Sequence, residues 1–162
     1  MKKDEMKQKE AAFDAEKMRM ALDLAREAAA DGETPVGAVV VWDDGRVVGV
    51  GRNRREKEKN ALRHAEIEAI DAACKALGGW RLHKATVYVT LEPCPMCAGA
   101  LVNARVRRVV YGASDSAAGA FGSVLDLSKT PGLFHPKIEK GLFSNEAQKL
   151  LSDFFSDMRR KR

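Results

Sequence analysis

The chain has 162 residues, 45% of them hydrophobic and 31% charged, a balance that excludes a disordered, fibrous or membrane-embedded protein and fits one compact core. Its 28 Lys and Arg against 23 Asp and Glu leave a net charge of +5, an excess too modest to name a partner by itself. The longest plainly apolar run, Val36 to Trp42, is far too short to cross a bilayer.

From about Met6 to Ala30 the residues are helix formers without Pro or Gly. Phe13, Met20, Leu24 and Ala28 recur at helical spacing, and Asp31-Gly32 supplies the stop. Val36 to Trp42 and Arg46 to Gly51 read as two strands joined in a hairpin by Asp43-Asp44-Gly45. A polar loop follows, to about Leu62. His64 opens a second helix with Ile67, Ile70, Cys74 and Leu77 on one stripe, ended by Gly78-Gly79. Ala85 to Leu91 alternates as a strand. Pro95 suits the first turn of a third helix running to about Ala104, since its missing N–H costs nothing there. Val109 to Tyr111 is another short strand, and Gly112 to Ser123 is a loop rich in Gly, Ala and Ser. A last helix from about Asn145 carries Ala147, Leu150, Leu151, Phe154 and Met158 on its apolar face. No repeat or linker divides the chain, so a single domain over residues 1–162 is expected, with about residues 1–12 as a charged extension. This order of elements implies a mixed sheet covered by helices on both faces.

Charge is unevenly spread. Seven basic residues (Arg46, Arg52, Arg54, Arg55, Lys57, Lys59, Arg63) meet only Glu56 and Glu58 in the stretch from Arg46 to Arg63. Arg105, Arg107 and Arg108 form a second cluster, and Arg159-Arg160-Lys161-Arg162 a third. Such patches suit a polyanion, but each alone reads first as a solvated face. The first residues, Met1-Lys2-Lys3-Asp4-Glu5, bring charge where a signal peptide needs an apolar run, so a cytoplasmic location is expected. Three cysteines cannot all pair within the chain.

Two half-motifs carry the chemistry. His64-Ala65-Glu66 begins one helix, and Pro93-Cys94-Pro95-Met96-Cys97 begins another. Cysteines three apart project from nearly the same helix face, and a helix N-terminus favours thiolate. Two thiolates and one imidazole make a three-ligand zinc site whose fourth position is open to water, which is the catalytic pattern. Zinc there would lower the pKa of that water toward about 7. Glu66, beside the metal but not bound to it, would carry the protons. The two half-motifs match the His-x-Glu and Pro-Cys-x-x-Cys signature of zinc nucleobase deaminases. Alone, Cys94-Pro95-Met96-Cys97 also fits a redox pair or half of a structural zinc site. The latter needs a fourth ligand from His83, His135 or Cys74, and Cys74 lies on its helix's apolar stripe.

Together with these motifs, Glu33-Thr34-Pro35-Val36-Gly37-Ala38-Val39, Val89-Thr90-Leu91-Glu92, Arg108 to Ala113, Gly119 to Ser123 and Leu150 to Phe155 resemble bacterial tRNA-specific adenosine deaminases of the TadA type. The likeness runs over about residues 13 to 160. It implies a three-layer α/β/α fold around a mixed five-stranded sheet, of the cytidine deaminase-like kind. It implies hydrolytic deamination of adenosine to inosine at the tRNA wobble position, chiefly in arginine tRNA, by a homodimer with one zinc per subunit and no organic cofactor. By position, His64, Cys94 and Cys97 would bind zinc and Glu66 would be catalytic. Asn53 would contact the target nucleoside, Leu91 and Glu92 would shape the pocket, and the backbone near Ala65 would meet the base edge. Asp115 and Ser116 would touch flanking nucleotides, and Phe155 with Arg159 would stack on and grip the anticodon loop. Phe154, on the helical stripe, would pack in the core. Two segments depart from the pattern: Asn60-Ala61-Leu62-Arg63 before the metal histidine, and Leu133-Phe134-His135-Pro136, where an Asn-His pair is usual. Both bear on the substrate rather than the reaction. The alternatives are a deaminase of a free base or nucleoside (guanine, cytosine or adenosine) and a non-catalytic zinc-binding module.

Overall fold

A computed structural model describes residues 1–162. The elements run α1 (Lys2–Ala30), β1 (Gly37–Val41), β2 (Val47–Arg52), α2 (Ala65–Leu77), β3 (Thr86–Leu91), α3 (Pro95–Asn103), β4 (Arg108–Ala113), β5 (Lys137–Lys140) and α4 (Ser144–Arg160). Five strands form one sheet in the order β2-β1-β3-β4-β5. β1 pairs antiparallel with both β2 and β3, whereas β3–β4 and β4–β5 are parallel. The expected mixed five-stranded sheet is therefore present.

β3 lies in the centre and is buried on both faces, so its period-2 pattern separates two cores. Val87 and Val89 pack with Val40, Val109 and Tyr111 under Ala65, Ala69 and Ala73 of α2 and Leu101 and Val102 of α3. Tyr88 faces the other side, with Met18 and Ala21 of α1, Val39, Val41 and Val110. α4 joins that second side through Ala147, which meets Leu22 and Ala113.

Several helical faces differ from expectation. α1 starts at Lys2, so the charged extension is helical and exposed, and its fully buried stripe is Met18, Ala21, Leu22, Ala25 and Ala28. α2 buries alanines, with Ile67, Ile70, Cys74 and Leu77 only half-buried at its flanks. Gly49 and Gly51 explain this: a Cβ at Gly51 would meet the Ala65 carbonyl, and one at Gly49 the Ala69 carbonyl. The helix backbone thus lies directly on β2, and only alanine fits between. β5 had no assigned position in the sequence. It is a short edge strand, Lys-Ile-Glu-Lys, whose charged residues mask its period.

Antiparallel pairing of β1 with β3 brings Gly37 beside Thr90, whose Oγ1 accepts the Gly37 N–H at 3.2 Å. Gly37 also pairs with Arg52 at the end of β2. Residues 33–36 before β1 and 53–56 after β2 therefore lie at the same sheet edge as the C-terminal ends of β3 and β4. That edge, outside the carboxyl ends of the parallel strands, is where an open α/β sheet offers a crevice. No helix is long and apolar enough to cross a membrane.

Candidate active site

A cavity of about 730 Å³ opens at that edge. His64 enters it as the N-cap of α2, and Cys94 as the N-cap of α3 with Pro95 in the first turn. One turn of α3 carries Cys97 to the same point, fully buried. His64 Nδ1 lies 3.7 Å from Cys94 Sγ and 3.5 Å from Cys97 Sγ. All three donor atoms fall within 4.8 Å of one another. Tetrahedral zinc, with Zn–S about 2.3 Å and Zn–N about 2.0–2.1 Å, requires an N···S separation of about 3.6 Å. The triangle fits zinc. His83 and His135, considered as a fourth ligand, are exposed and belong to other parts of the surface, His135 bonding to the Thr130 carbonyl at 2.8 Å. Cys74 packs against the core. The open position that a catalytic metal needs is retained.

Electrostatics agree with thiolate ligation. Hydrogen bonding from Cys97, and then from His64, pulls the Cys94 thiol down to about 4 against the opposing effect of burial. Cys97 is pushed up by sharing its proton with Cys94 and by burial. One negative charge thus sits between the two sulfurs, and it raises His64. A divalent cation would neutralise both thiolates. Glu66, in the first turn of α2, is only 4% exposed, yet its carboxylate faces the cavity. Burial pushes it up to about 7. It is a carboxyl group next to the triangle and outside it.

Asn53 joins these pieces. Its Nδ2 donates to the Thr34 carbonyl at 3.0 Å, and its Oδ1 accepts the Ala65 N–H at 2.9 Å. The α2 N-cap, His64, makes no capping bond with its own side chain, so Asn53 satisfies that helix end from outside.

Of the residues expected to meet substrate, Asn53, Leu91, Asp115, Phe155 and Arg159 line the cavity. Ala65 and Ser116 do not. Ala65 is fully buried, with its N–H already engaged by Asn53, and Ser116 is exposed on the outer side of its turn. Asp115 also caps its own turn, its Oδ1 accepting from Ala117 and Ala118. Phe154 is half-buried and lines the cavity beside Phe155, edge to face at 5.4 Å, because α4 turns this flank toward the mouth rather than the core. Glu33, Thr34, Arg55 and Met158 were not singled out as site residues, yet they also line it. Their signal was three-dimensional, since no local spacing connects them. Phe134 does not line the cavity; the Arg105 guanidinium lies over its ring at 5.9 Å.

The family described as MafB19-like deaminase matches residues 13–155. The tRNA-specific adenosine deaminase of Bacillus subtilis (strain 168) is 44% identical over 146 residues, 90% of this chain and 90% of that protein. The chain belongs to the tRNA-specific adenosine deaminase family. A solved structure from studies of A-to-I editing by tRNA:A34 deaminases at the wobble position of transfer RNA superposes with a TM-score of 0.81 at 44% identity. That match covers 84% of this chain and 99% of the other. Guanine deaminase from Bacillus subtilis shares the fold less completely, at TM-score 0.58 and 39% identity over 60% of this chain and 62% of its own. The three-layer deaminase fold and a zinc-dependent hydrolytic chemistry follow from this membership.

Proposed function

We propose that the protein hydrolyses the 6-amino group of adenosine at the wobble position of a tRNA anticodon, chiefly arginine tRNA, converting it in place to inosine and releasing ammonia. The observation that carries the chemistry is the His64–Cys94–Cys97 triangle of zinc dimensions beside the buried, non-ligating Glu66. Zinc held by those three side chains would supply Lewis acidity and lower the pKa of a bound water toward about 7. Glu66 takes the proton released by the attacking water and delivers it to the purine ring nitrogen. It then takes the second proton from the new C6 hydroxyl and gives it to the departing amine as the C6–N bond breaks, so that adenosine and water become inosine and ammonia. Asn53 holds the helix end that carries both His64 and Glu66.

The substrate class rests on family membership and on the cavity's rim. Arg55, Arg159 and Arg162 stand at the mouth with Phe155, which is 45% exposed. Cations track phosphates and an exposed ring stacks on bases, features a closed free-base pocket does not need. The target adenosine must leave its stack to reach Glu66, which is easiest in a single-stranded loop. We further infer that the chain forms one domain and acts as a homodimer in the cytoplasm. Ammonia release from zinc-loaded protein, compared between tRNA, guanine, cytosine and adenosine, tests the substrate class. Turnover is expected on tRNA; turnover on a free base alone would replace this reading.

A further inference from the structure

Two buried carboxylates accept five backbone N–H groups from the two loops that flank the cavity. Glu33, 3% exposed before β1, accepts the N–H of Glu56 at 3.0 Å and of Lys57 at 2.8 Å. Glu92, 2% exposed after β3, accepts the N–H of Asp115 at 3.0 Å and those of Phe121 and Ser123 at 3.1 Å each. Ser123 Oγ adds a bond at 2.5 Å. No cation pairs with either carboxylate. A buried charge of this kind persists only where oriented donors replace its water, and here the donors are loop amides. Each loop forms one wall of the cavity: residues 53–56 contribute Asn53, Arg55 and Glu56, and residues 115–118 contribute Asp115 and Ala118.

We infer that Glu33 and Glu92 are positioning residues, each anchoring one wall of the substrate cavity through main-chain amides and thereby setting the width of its mouth. Because the bonds go to backbone, the wall side chains are free to vary while the wall keeps its place. Gly119 fits this design. A Cβ there would run into the Glu92 carboxylate carbon and both its oxygens, so the loop closes over Glu92 only with glycine at that point. The inference rests on the proposed function only where it concerns RNA.

The test has a structural and a kinetic arm. Glu92→Gln turns one acceptor oxygen into an NH₂ donor facing N–H donors, and Gly119→Ala displaces the carboxylate from the other side. In both variants the amides of Asp115, Phe121 and Ser123 should exchange with deuterium about tenfold faster or more, while the β3–β4 ladder exchanges as before. Glu33→Gln should do the same for Glu56 and Lys57 only. With tRNA, KM should rise severalfold more than kcat falls, because the wall contacts flanking nucleotides; a mere loss of folded protein lowers kcat at constant KM. Unchanged exchange, or uniformly faster exchange across the sheet in both Glu92→Gln and Gly119→Ala, would overturn the inference. Local loosening without any turnover of tRNA by the wild type would leave the anchors standing and overturn the tRNA reading instead.

Discussion

The side-chain oxygen of Asn53 accepts the N–H of Ala65 at 2.9 Å, the one residue between His64 of the Cys–His triangle and the buried Glu66. A residue at the end of β2 thereby fixes the start of α2. Its other bond, to the Thr34 carbonyl, ties the same point to the segment before β1. Asn53→Ala should cost about 1–3 kcal/mol of stability by leaving the Ala65 N–H unpaired. It should also lower kcat/KM by about 10–100-fold through misplacement of His64 and Glu66, as supporting bonds around metal ligands do. Urea denaturation and steady-state kinetics of the variant read the two effects; unchanged zinc content and kinetics would remove Asn53 from the positioning role.

Glu66→Gln should retain zinc and fold while losing deamination by at least about 10²-fold, the lower end of general acid–base catalysis. Zinc content by atomic absorption and inosine by mass spectrometry are the measurements. Substantial residual turnover would assign the proton transfers to another group.

Removing the metal should abolish turnover, and adding zinc back should restore it in proportion to occupancy. Cys97→Ser should lose metal and activity together, because the triangle cannot close. In the metal-free protein one of the two thiols should alkylate rapidly at neutral pH, with Cys94 the reactive one, since its thiolate is already favoured. Equal, slow labelling of both would contradict that charge distribution.

Arg108 binds Asp14 through two nitrogens, at 3.0 and 2.6 Å, and bonds Glu139, tying α1, β4 and β5 together. The Arg108 hydrogen bond holds the Glu139 carboxyl below its ordinary value. A carboxylate with a depressed folded pKa adds stability above its unfolded value and loses it as pH falls through the folded one. The contribution is thus full above about pH 5 and fades below about pH 4. Glu139→Gln should therefore lower the urea midpoint at pH 7, and the gap from wild type should shrink toward zero near pH 3. A constant gap would show that the ion pair is not its source.

Binding of RNA at the rim should follow counterion release. KM for tRNA should rise steeply with salt, and Arg159→Ala should reduce the slope of log KM against log salt by about one. Phe155→Ala should raise KM without changing that slope, because stacking carries no counterion. Salt-insensitive kinetics would detach the basic rim from the substrate.

The chemistry was legible in the sequence because ligation imposes local spacing. Cys94 and Cys97 must share a helix face, and His64 and Glu66 must share a helix start. Long elements with strong periodicity, α2 and β3 among them, were equally plain. β5 was not, since Lys137 to Lys140 is a short charged edge whose strand character comes only from pairing with β4. The buried face of α2 was misread because Gly49 and Gly51, two strands of logic away, decide which side chains fit. The cavity walls were the least visible. Glu33 looks like an ordinary charged residue, and Glu92 is expected only to shape the pocket, until the backbone amides of distant loops converge on them.

The most direct test is inosine mapping in an arginine tRNA transcript treated with the zinc-loaded protein, beside a transcript whose wobble adenosine alone is changed to guanosine. Inosine at the wobble position of the first and none in the second is the expected result. No inosine in either, from folded and zinc-replete protein, would contradict the account and move the activity to a small purine or pyrimidine.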